Sequence, residues 1–574
     1  MRERGRSNAG DEDGGLEFMR ALGERGGSIG PTCHRRRHKS NQDGLLGGLL
    51  VPWFDEQSCI SRYQSTSHLK KLARSPSTHL VKRLREQEAL QRRCGPGTST
   101  SRRAAERLEP RRNGTGTTHA EDDDDCKYLV LVPYRGLGNR ILAMASAFLY
   151  AMLTDRVLLV HRGTSLPDLF CEPFQETSWL LPPDFPLRDL ENLTGEVPES
   201  YRNLVREYGR AASVSELPYV FVDLDHACTY HDKLFYCDDH REFLHRAPWL
   251  VMRTDGYFVP ALFLNPAYQE ELDKLFPRKD SVFYLLARYL FHPTNKVWGL
   301  ITRFYDSYLK NSDERLGIQV RVFDGDTPFK HVLDQILACT SQEHLLPEVV
   351  AQDPGPPAPP AGARSKAVLM TGLSSWYFES IRGRYWQSAT AAGEVEHLLP
   401  EVVAQDPGPP ASTAGARSKA VLMTGLSSWY FESIRGRYWQ SATAAGEVVS
   451  VHQPSHEEHQ LIGEATHDMK ALAEMSRLSR PCAVATSGWS TFGYVGHGLG
   501  GLTPWIMFKP ENLTTPDPPC RRAASMEPCL HGPPFYDCRA RRGADTGKLV
   551  PHVRHCEDMS WGLKLVHPAE IVLN

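Results

Sequence analysis

The fold of this chain is constrained most by residues 126–160, which read CKYLVLVPYRGLGNRILAMASAFLYAMLTDRVLLV. An apolar run at 128–132 predicts a strand, and a second apolar strand is predicted at 156–160. Between them lie the glycine-rich turn 136–140 and a long helical pattern. This order predicts a βαβ unit with its glycines at the point where strand becomes helix.

The glycine-rich turn is typical of an anion site. Gly136 and Gly138 predict unusual backbone angles and close approach by a ligand. The first amide groups of the helix lack intrahelical partners, and Arg140, next to Asn139, adds a cation that can grip phosphate oxygens. The pattern is not GxGxxG, and no acidic residue follows where a ribose contact would need one. We therefore expect a diphosphate here, with a purely structural turn as the alternative.

Two later segments favour the phosphate-binding interpretation. Residues 316–323, LGIQVRVF, are typical of a buried strand that contains Arg321, and a buried arginine is costly unless an anion pairs with it. Residues 487–508 begin with a Ser/Thr/Gly-rich turn that leads into a helix. The binding candidates in this turn are Ser487, Ser490, Thr491 and Phe492.

The remaining patterns predict a division of the chain into several parts. Strands alternate with helices again after residue 313, which predicts a second parallel sheet with ligands beyond the carboxyl ends of its strands. The expected parts are a disordered N-terminus at 1–44, a helical segment and linker at 45–125, α/β domains at 126–312 and 313–519, and a Cys-rich segment at 520–574.

The second domain contains an internal tandem repeat. Residues 343–395 recur as 396–448, and the copies differ only where Pro359 and Pro360 become Ser412 and Thr413. A solenoid needs at least about three repeats, so two almost identical copies indicate a recent tandem duplication or an artefact of sequence assembly. The sheet has one place for the strand of this unit. We expect the second copy to fill it and the first copy to lie at the surface.

The composition bears on the cellular compartment of the protein and argues against nucleic acid as a partner. The net charge of −3 gives no overall attraction to nucleic acid. The 13 cysteines contain no CxxC pair, which favours disulfides over a metal site, and their odd number leaves at least one thiol unpaired within the chain. An early apolar stretch at 45–51 is far shorter than the roughly 20 residues of a membrane span. Candidate N-glycosylation sites are Asn113, Asn192 and Asn512.

Longer motifs identify a family. They include GLGNRILAMASAFLYAMLTDRVLLV, FCEPFQETSWLLPPDFP, RTDGYFVPALFL, RLGIQVRVF, SGWSTFGYVGHGLGGLTPWI and SMEPCLHGPPFYDC. From about residue 45 to residue 566 the chain resembles the plant xyloglucan-type galactoside α-1,2-fucosyltransferases. The resemblance implies a GT-B fold of two Rossmann-like domains facing a cleft. It also implies GDP-fucose as the donor and inverting chemistry without a metal or other cofactor.

The resemblance also implies partners and a location. The acceptor would be a galactose-terminated cell-wall polysaccharide such as xyloglucan, or a glycoprotein glycan. The enzyme would act in cell wall biogenesis in the Golgi lumen, as a homodimer or with other Golgi glycosyltransferases, and not on nucleic acid. A catalytically inactive nucleotide-sugar-binding or scaffolding member is the alternative function.

Candidate catalytic residues follow from the resemblance and from the chemistry. Arg321 would stabilise the leaving diphosphate. Asp255 in RTDGYFVP matches the acidic residue that the family places near the acceptor, and it would take the hydroxyl proton; a turn-forming Asp-Gly is the alternative. Asp223 and Asp225 look like a metal-binding DxD motif, but we favour a strand end. His292, Asp306 and His497 are lesser base candidates, and His552, His555 and Asp558 look like a satisfied polar cluster.

Aromatic side chains are candidates for stacking on acceptor sugars. We name Tyr257, Phe258, Trp298 and Tyr305, and we expect core packing for at least half of them.

Overall fold

A computed structural model describes the chain in separate stretches. They are residues 46–51, 54–68, 74–108, 126–163, 165–207, 217–226, 228–237, 241–322, 329–349, 366–369, 418–424, 427–441, 443–444, 446–455, 457, 459–461 and 463–568. Residues 1–44, for which the sequence predicts disorder, lie outside the described residues.

The first sheet is parallel throughout and has the strand order β2-β1-β4-β3. Its strands are β1 (Lys127–Pro133), β2 (Arg156–Val160), β3 (Val220–Leu224) and β4 (Trp249–Thr254). Nearly all of their residues are buried, as expected for strands covered on both faces. The predicted βαβ unit is confirmed.

The second sheet has the strand order β11-β10-β9-β5-β6-β7-β8 and is parallel except at β11, which runs antiparallel to β10. Its strands are β5 (Glu314–Gln319), β6 (Lys366–Leu369), β7 (Ser418–Thr424), β8 (Val448–His452), β9 (Ala483–Ser487), β10 (Trp505–Met507) and β11 (Cys520–Arg522). Two small antiparallel hairpins follow, made of β12 (Tyr536–Asp537), β13 (Arg542–Gly543), β14 (Val553–His555) and β15 (Leu563–Leu565).

Helices of seven or more residues cover the sheets. They are α1 (Ile60–His68), α2 (Thr78–Cys94), α3 (Ser99–Glu106), α4 (Leu137–Leu153), α5 (Tyr201–Glu207), α6 (Gln269–Leu275), α7 (Val282–Leu290), α8 (Asn295–Phe304), α9 (Lys330–Gln342), α10 (Ser428–Gln440), α11 (Ala465–Leu478) and α12 (Thr491–Gly500). The predicted helix at 80–93 is α2. Its Gln87 and Gln91 donate to backbone oxygens of β2 at 2.8 Å each, which closes that edge of the first sheet.

Both copies of the repeat contribute strands to the second sheet. Glu314 is the register partner of Lys366 in β6 and of Lys419 in β7, which are equivalent positions in the two copies. Val449 of β8 likewise pairs with both. The first copy's strand therefore lies in the sheet beside β7 and shares register partners with it, and the expected surface position for it is wrong.

The packed unit is assembled from parts of both copies. Lys419 of the second copy donates through Nζ to the backbone oxygen of Leu345 in the first, at 2.6 Å. Tyr438 of the second copy donates through its hydroxyl to the oxygen of Pro347 at 2.9 Å. Residues 343–349 therefore do the packing that 396–402 would do in a single-copy chain.

The C-terminal residues do not form a unit of their own. Cys520 starts the last strand of the second sheet, whereas residues after it enter the core of the first. The C-terminal members of that core are Met526, Cys529, Leu530, Val553, Cys556, Met559, Leu563 and Leu565. The sequence lacks a long apolar run here, which is why it suggests a separate segment.

The predicted disulfides are present. They join Cys59 to Cys171, Cys94 to Cys126, Cys237 to Cys538, Cys339 to Cys520, and Cys529 to Cys556. Cys228 has a free thiol, and burial raises its pKa to about 12. In the part of the chain that the structure describes, we find no helix with both the length and the apolar character that crossing a bilayer requires.

Candidate active site

The site lies where helices α4 and α12 begin side by side. A Cβ placed on Gly138 would come within 2.8 Å of the carbonyl carbon of Thr491 and 2.9 Å of the nitrogen of Phe492. The glycine therefore lets one helix N-terminus lie against the backbone of the other. Two helix N-termini converge here, and the positive end of each helix dipole favours an anion at the junction.

The unusual backbone angle in the turn belongs to Arg135 and not to the glycines. Gly136 has an extended backbone with φ −65° and ψ 163°, which other residues adopt readily. Arg135, just before it, has φ 68°, a left-handed conformation that is uncommon for a side chain of this size. The expectation of special angles at the glycines is corrected. The strained residue is one whose guanidinium reaches the site.

Asn139 connects the two sheets through its side-chain amide. Its Nδ2 donates to the backbone oxygen of Asp255 at 2.8 Å, and its Oδ1 accepts from the hydroxyl of Thr491 at 3.0 Å. Asp255 directly follows β4, and Thr491 is the first residue of α12. The structure thus brings three of the predicted site residues into one hydrogen-bonded chain.

Arg140 is committed to another part of the protein. Its Nη2 lies 2.7 Å from a carboxylate oxygen of Asp468 on α11, and its Nη1 donates to the hydroxyl of Ser165 at 3.0 Å. Both members of the ion pair are mostly buried. The charge that the sequence assigns to a diphosphate is already balanced by Asp468, so Arg140 joins the two halves of the molecule.

Arg321 lies two residues beyond the end of β5, at the carboxyl edge of the second sheet. Its backbone nitrogen donates to the hydroxyl of Ser487, the last residue of β9, at 2.9 Å. Burial lowers the pKa of its guanidinium. A cleft opens beside it, lined also by Val322, Phe329, His331, Val332, Gln335, Gly488, Met507, Phe508, Lys509, Pro510 and Leu513. Two phenylalanines, an amide and two cations suit a nucleoside diphosphate.

The other residues of the 487–492 turn shape the start of α12. Ser490 is the N-cap, and its hydroxyl accepts from the nitrogen of Gly493 at 3.4 Å. Phe492 is half-buried and packs against the cores of both sheets. Trp489 has φ 60°, and its nitrogen donates to Asp558 Oδ2 at 2.7 Å. The Asp558 carboxylate, expected in a C-terminal polar cluster, therefore holds the strained turn that precedes α12.

Asp255 is a mostly buried carboxylate with two cationic or polar neighbours. Its Oδ2 lies 3.1 Å from Nε of Arg135 and 3.1 Å from Nδ1 of His226. Burial is the largest effect on its pKa and raises it, while His226 and Arg135 act in the opposite direction. Sequence reasoning missed Arg135 and His226. Both follow β1 and β3 directly, so the rule that ligands bind beyond strand ends could have identified them.

The lesser base candidates are placed elsewhere. His292 and His497 are fully buried, and burial lowers the pKa of each to about 3. Asp306 pairs with Lys310 at 3.0 Å on an exposed helix end. Asp223 forms a two-pronged ion pair with Arg253 at 2.7 and 3.2 Å, which agrees with a strand end rather than a metal ligand.

The structure also bears on a group of residues that resembles a metal site and on the aromatic candidates. Asp558 lies near Cys529 and Cys556 in a metal-like group, but those sulfurs form a disulfide and are not thiolate ligands. Among the aromatic candidates, Tyr257, Phe258 and Trp298 are buried in the core, so stacking by them is excluded.

Two of the three candidate glycosylation sites lie among the described residues. Asn192 and Asn512 are exposed, whereas Asn113 lies outside the described residues.

Known families account for nearly the whole chain. The model of the xyloglucan fucosyltransferase family matches residues 28–396 and 392–539, two ranges that meet where the second copy of the repeat begins. The chain belongs to the xyloglucan fucosyltransferase family. The resemblance seen in its motifs is thereby confirmed.

Relatives of this fucosyltransferase-family chain span most of its length. The galactoside 2-alpha-L-fucosyltransferase of Pisum sativum is 48% identical over 527 residues, which are 91% of this chain and 82% of the pea protein. The protein of the same name from Arabidopsis thaliana is 48% identical over 528 residues, 92% of this chain and 84% of its own. A solved structure of an Arabidopsis thaliana FUT1 mutant in complex with GDP matches with a TM-score of 0.75 and 47% identity, covering 91% of this chain and 100% of that one.

Proposed function

We propose that the protein transfers L-fucose from GDP-fucose to a terminal galactose of a cell-wall glycan such as xyloglucan, forming an α-1,2 linkage with inversion. Family membership and relatives named galactoside 2-alpha-L-fucosyltransferase support the reaction. The observation that carries the proposal is the hydrogen-bonded chain from Thr491 through Asn139 to Asp255; Thr491 follows Ser487 and Gly488, which line the Arg321 cleft. The two sheets would be the facing Rossmann-like halves of a GT-B fold.

Arg321 and the start of α12 would act on the leaving group. The bond between fucose C1 and the β-phosphate oxygen breaks, and its electron pair passes to the diphosphate. A fixed guanidinium and a helix N-terminus stabilise the charge that develops there, because they are oriented before the reaction begins. A solved relative with 47% identity is in complex with GDP, which supports the Arg321 cleft as the nucleotide site.

Asp255 would act on the acceptor. The galactose 2-hydroxyl oxygen attacks C1 from the face opposite the diphosphate, and its proton passes to the Asp255 carboxylate. Burial raises the pKa of this carboxyl, which strengthens it as a base, and the adjacent Arg135 and His226 favour its ionised form. Asn139 holds the backbone of Asp255 at a fixed distance from α12.

The test is a transfer assay with purified full chain, labelled GDP-fucose and galactosylated xyloglucan oligosaccharides. We expect an α-1,2-fucosylated product, loss of transfer in Asp255→Asn, and activity that persists in EDTA. Activity should persist in EDTA because Arg321 and helix α12 supply the positive charge, and because Asp223 already forms an ion pair with Arg253. GDP binding without turnover would instead favour the inactive, scaffolding alternative. Abolition by EDTA with rescue by Mn²⁺ would return Asp223 and Asp225 to the site.

We also propose that the protein works in the Golgi lumen. The disulfides found among the described residues and the exposed sequons at Asn192 and Asn512 suit a secretory compartment. Endoglycosidase treatment of protein made in plant cells should increase its gel mobility, and unchanged mobility would count against passage through that pathway. A homodimer or a complex with other Golgi glycosyltransferases stays a prediction.

A further inference from the structure

A buried glutamate of the C-terminal segment contacts the loop that carries the candidate base. Glu527 is 1% exposed, and both of its carboxyl oxygens accept a hydrogen bond. The hydroxyl of Tyr257 donates to Oε2 at 2.6 Å, and the backbone nitrogen of Phe283 donates to Oε1 at 3.0 Å. Removing a carboxyl from water costs free energy unless its oxygens find partners, and these two contacts supply them. The carboxyl therefore joins Tyr257 to the start of helix α7.

Three elements meet at this carboxyl. Phe283 is the second residue of α7, where a backbone nitrogen has no carbonyl partner within its own helix. The Phe283 ring also meets the Tyr257 ring edge to face, with centroids 5.7 Å apart. A Cβ on Gly498 would come within 2.5 Å of the Phe283 ring, so α12 packs against the same place. The Glu527 contacts thus fix the loop after β4 relative to both helices.

Tyr257 follows Asp255 by two residues, in a loop that is held at several points. Thr254 is bonded through its hydroxyl to the end of β3, and the nitrogen of Phe258 is bonded to a serine of α4. Asn139 holds the backbone oxygen of Asp255 itself. The Tyr257 hydroxyl adds an anchor between these points and ties the loop to the C-terminal segment.

The two side chains act at a distance from any substrate. Tyr257 is as deeply buried as Glu527, so an effect of either on the reaction must pass through Asp255. Burial raises the pKa of Glu527 to about 8, although nearby Lys564 acts in the opposite direction. Lys564 is itself paired with Glu557, at 2.8 Å. The Glu527 carboxyl is therefore largely neutral at pH 7, and glutamine is a close substitute for it.

We propose that Glu527 and Tyr257 are positioning residues for Asp255. The carboxyl fixes the Tyr257 hydroxyl against α7, and the fixed tyrosine holds the turn from which Asp255 reaches the acceptor hydroxyl. This inference rests on the proposed function. It gives the C-terminal segment a part in the reaction, although neither member of the pair touches substrate.

The chain offers a matched control for this pair. Tyr289 donates through its hydroxyl to Glu88 Oε1 at 2.8 Å, and both side chains are buried. This second pair joins α7 to α2 and does not involve the loop after β4. Tyr257→Phe and Tyr289→Phe each remove one buried hydroxyl from one buried carboxyl. A purely structural role predicts the same consequences for both variants.

The experiment measures steady-state transfer from GDP-fucose to a galactosylated xyloglucan oligosaccharide with the full chain. We expect Tyr257→Phe to lower kcat on the order of tenfold, because a small displacement of a base costs rate. The KM for each substrate should stay within about twofold, since the lost interaction acts in the transition state. Tyr289→Phe should leave kcat and both KM values within about twofold. Thermal melting should fall by a similar amount in the two variants.

Changes at Glu527 test the other half of the pair. Glu527→Gln should keep most of the activity, because its amide oxygen still accepts from the Phe283 nitrogen and its NH2 group can donate to the Tyr257 oxygen. Glu527→Leu should lose at least as much kcat as Tyr257→Phe, because both bonds are removed. If Glu527→Leu fails to fold, Tyr257→Phe and Glu527→Gln decide the matter.

Two results would overturn the inference and leave the proposed function intact. One is an unchanged kcat in Tyr257→Phe, and the other is an equal loss of kcat in Tyr289→Phe. Absence of transfer by the unchanged protein would instead remove the proposed function, and the positioning roles with it.

Discussion

Two arginines near the cleft have different surroundings and therefore different tasks. Arg140 is mostly buried against Asp468, and separating such a pair would leave a buried charge unpaired. Arg321 lines the cleft itself, and burial lowers its pKa because the charged guanidinium is partly removed from water. An anion bound in the cleft would compensate the Arg321 guanidinium for the hydration that it loses on burial. We therefore expect Arg140 to stabilise the packing of the two halves, and we keep Arg321 as the candidate for catalysis.

Replacing Arg321 should lower turnover without unfolding the protein. We expect Arg321→Ala to reduce kcat on the order of 10²-fold, the scale for removing one oriented donor from a developing charge. Arg321→Lys should also be impaired because a point charge cannot replace a planar fork. Steady-state kinetics with GDP-fucose check this, alongside melting temperatures. Near-normal turnover in both variants would exclude Arg321 from the site.

Removing His226 should move the pH profile. Burial raises the pKa of Asp255, and His226 partly offsets that by favouring the ionised carboxylate. A base works only when ionised, so activity is present above this pKa and is lost as the pH falls through it. His226→Ala should therefore shift the acid limb of kcat/KM to higher pH. The control is His79→Ala, which removes a histidine–glutamate contact on the helix α2 surface; an unmoved limb in His226→Ala would contradict the role.

At the scale of elements, the contact between α4 and α12 joins the parts of the chain that carry the two sheets. The two helices begin within van der Waals contact, and only a residue without a side chain fits at position 138. Because the Asn139 bridge starts one residue later, any increase in the spacing of these helices also stretches the hydrogen bonds to Thr491 and Asp255.

Gly138→Ala should therefore damage both stability and activity. Overpacking of a tight contact typically costs about 1–3 kcal/mol, and the widened junction should lower kcat as well. Gly436→Ala is a matched control, since Gly436 lies within helix α10 with nothing within 4 Å of an added Cβ. That change should stabilise the protein by up to about 1 kcal/mol. Chemical denaturation measures both; equal effects would show that the α4–α12 contact is not tight.

The elements themselves could be predicted from the sequence, but several site contacts could not. Strands such as β1, β2 and β9 are near-continuous apolar runs, and buried parallel strands have that pattern. Asp468, the partner of Arg140, lies 328 positions away in the sequence, so no local sequence pattern indicates this pair. The positive φ of Arg135 could not be predicted from the sequence either, because glycine is the residue expected to adopt such an angle.

At the scale of the whole molecule, the repeat is excess chain. Residues 343–349 of the first copy already pack with 418–448 of the second, so the intervening residues duplicate a place that is filled. Deleting 343–395 or 350–402 yields the same sequence, because the copies are identical over the first seven positions.

A chain lacking 343–395 should keep its fold and its activity. We expect a higher soluble yield, because the two equivalent strands no longer compete for one position between β5 and β8. Expression yield, circular dichroism and the transfer assay check this. Loss of folding in the shortened chain would show that both copies are needed.

The C-terminal segment gives the first sheet an unusual dependence on synthesis order. The core of that sheet includes residues from Met526 to Leu565, and Cys237 is bonded to Cys538. A ribosome delivers β1–β4 long before those residues emerge, so the first half of the chain must wait, incompletely packed, while the second sheet is made. Its exposed apolar surface during that interval would engage chaperones. The first sheet, although encoded first, would be the last part of the protein to become native.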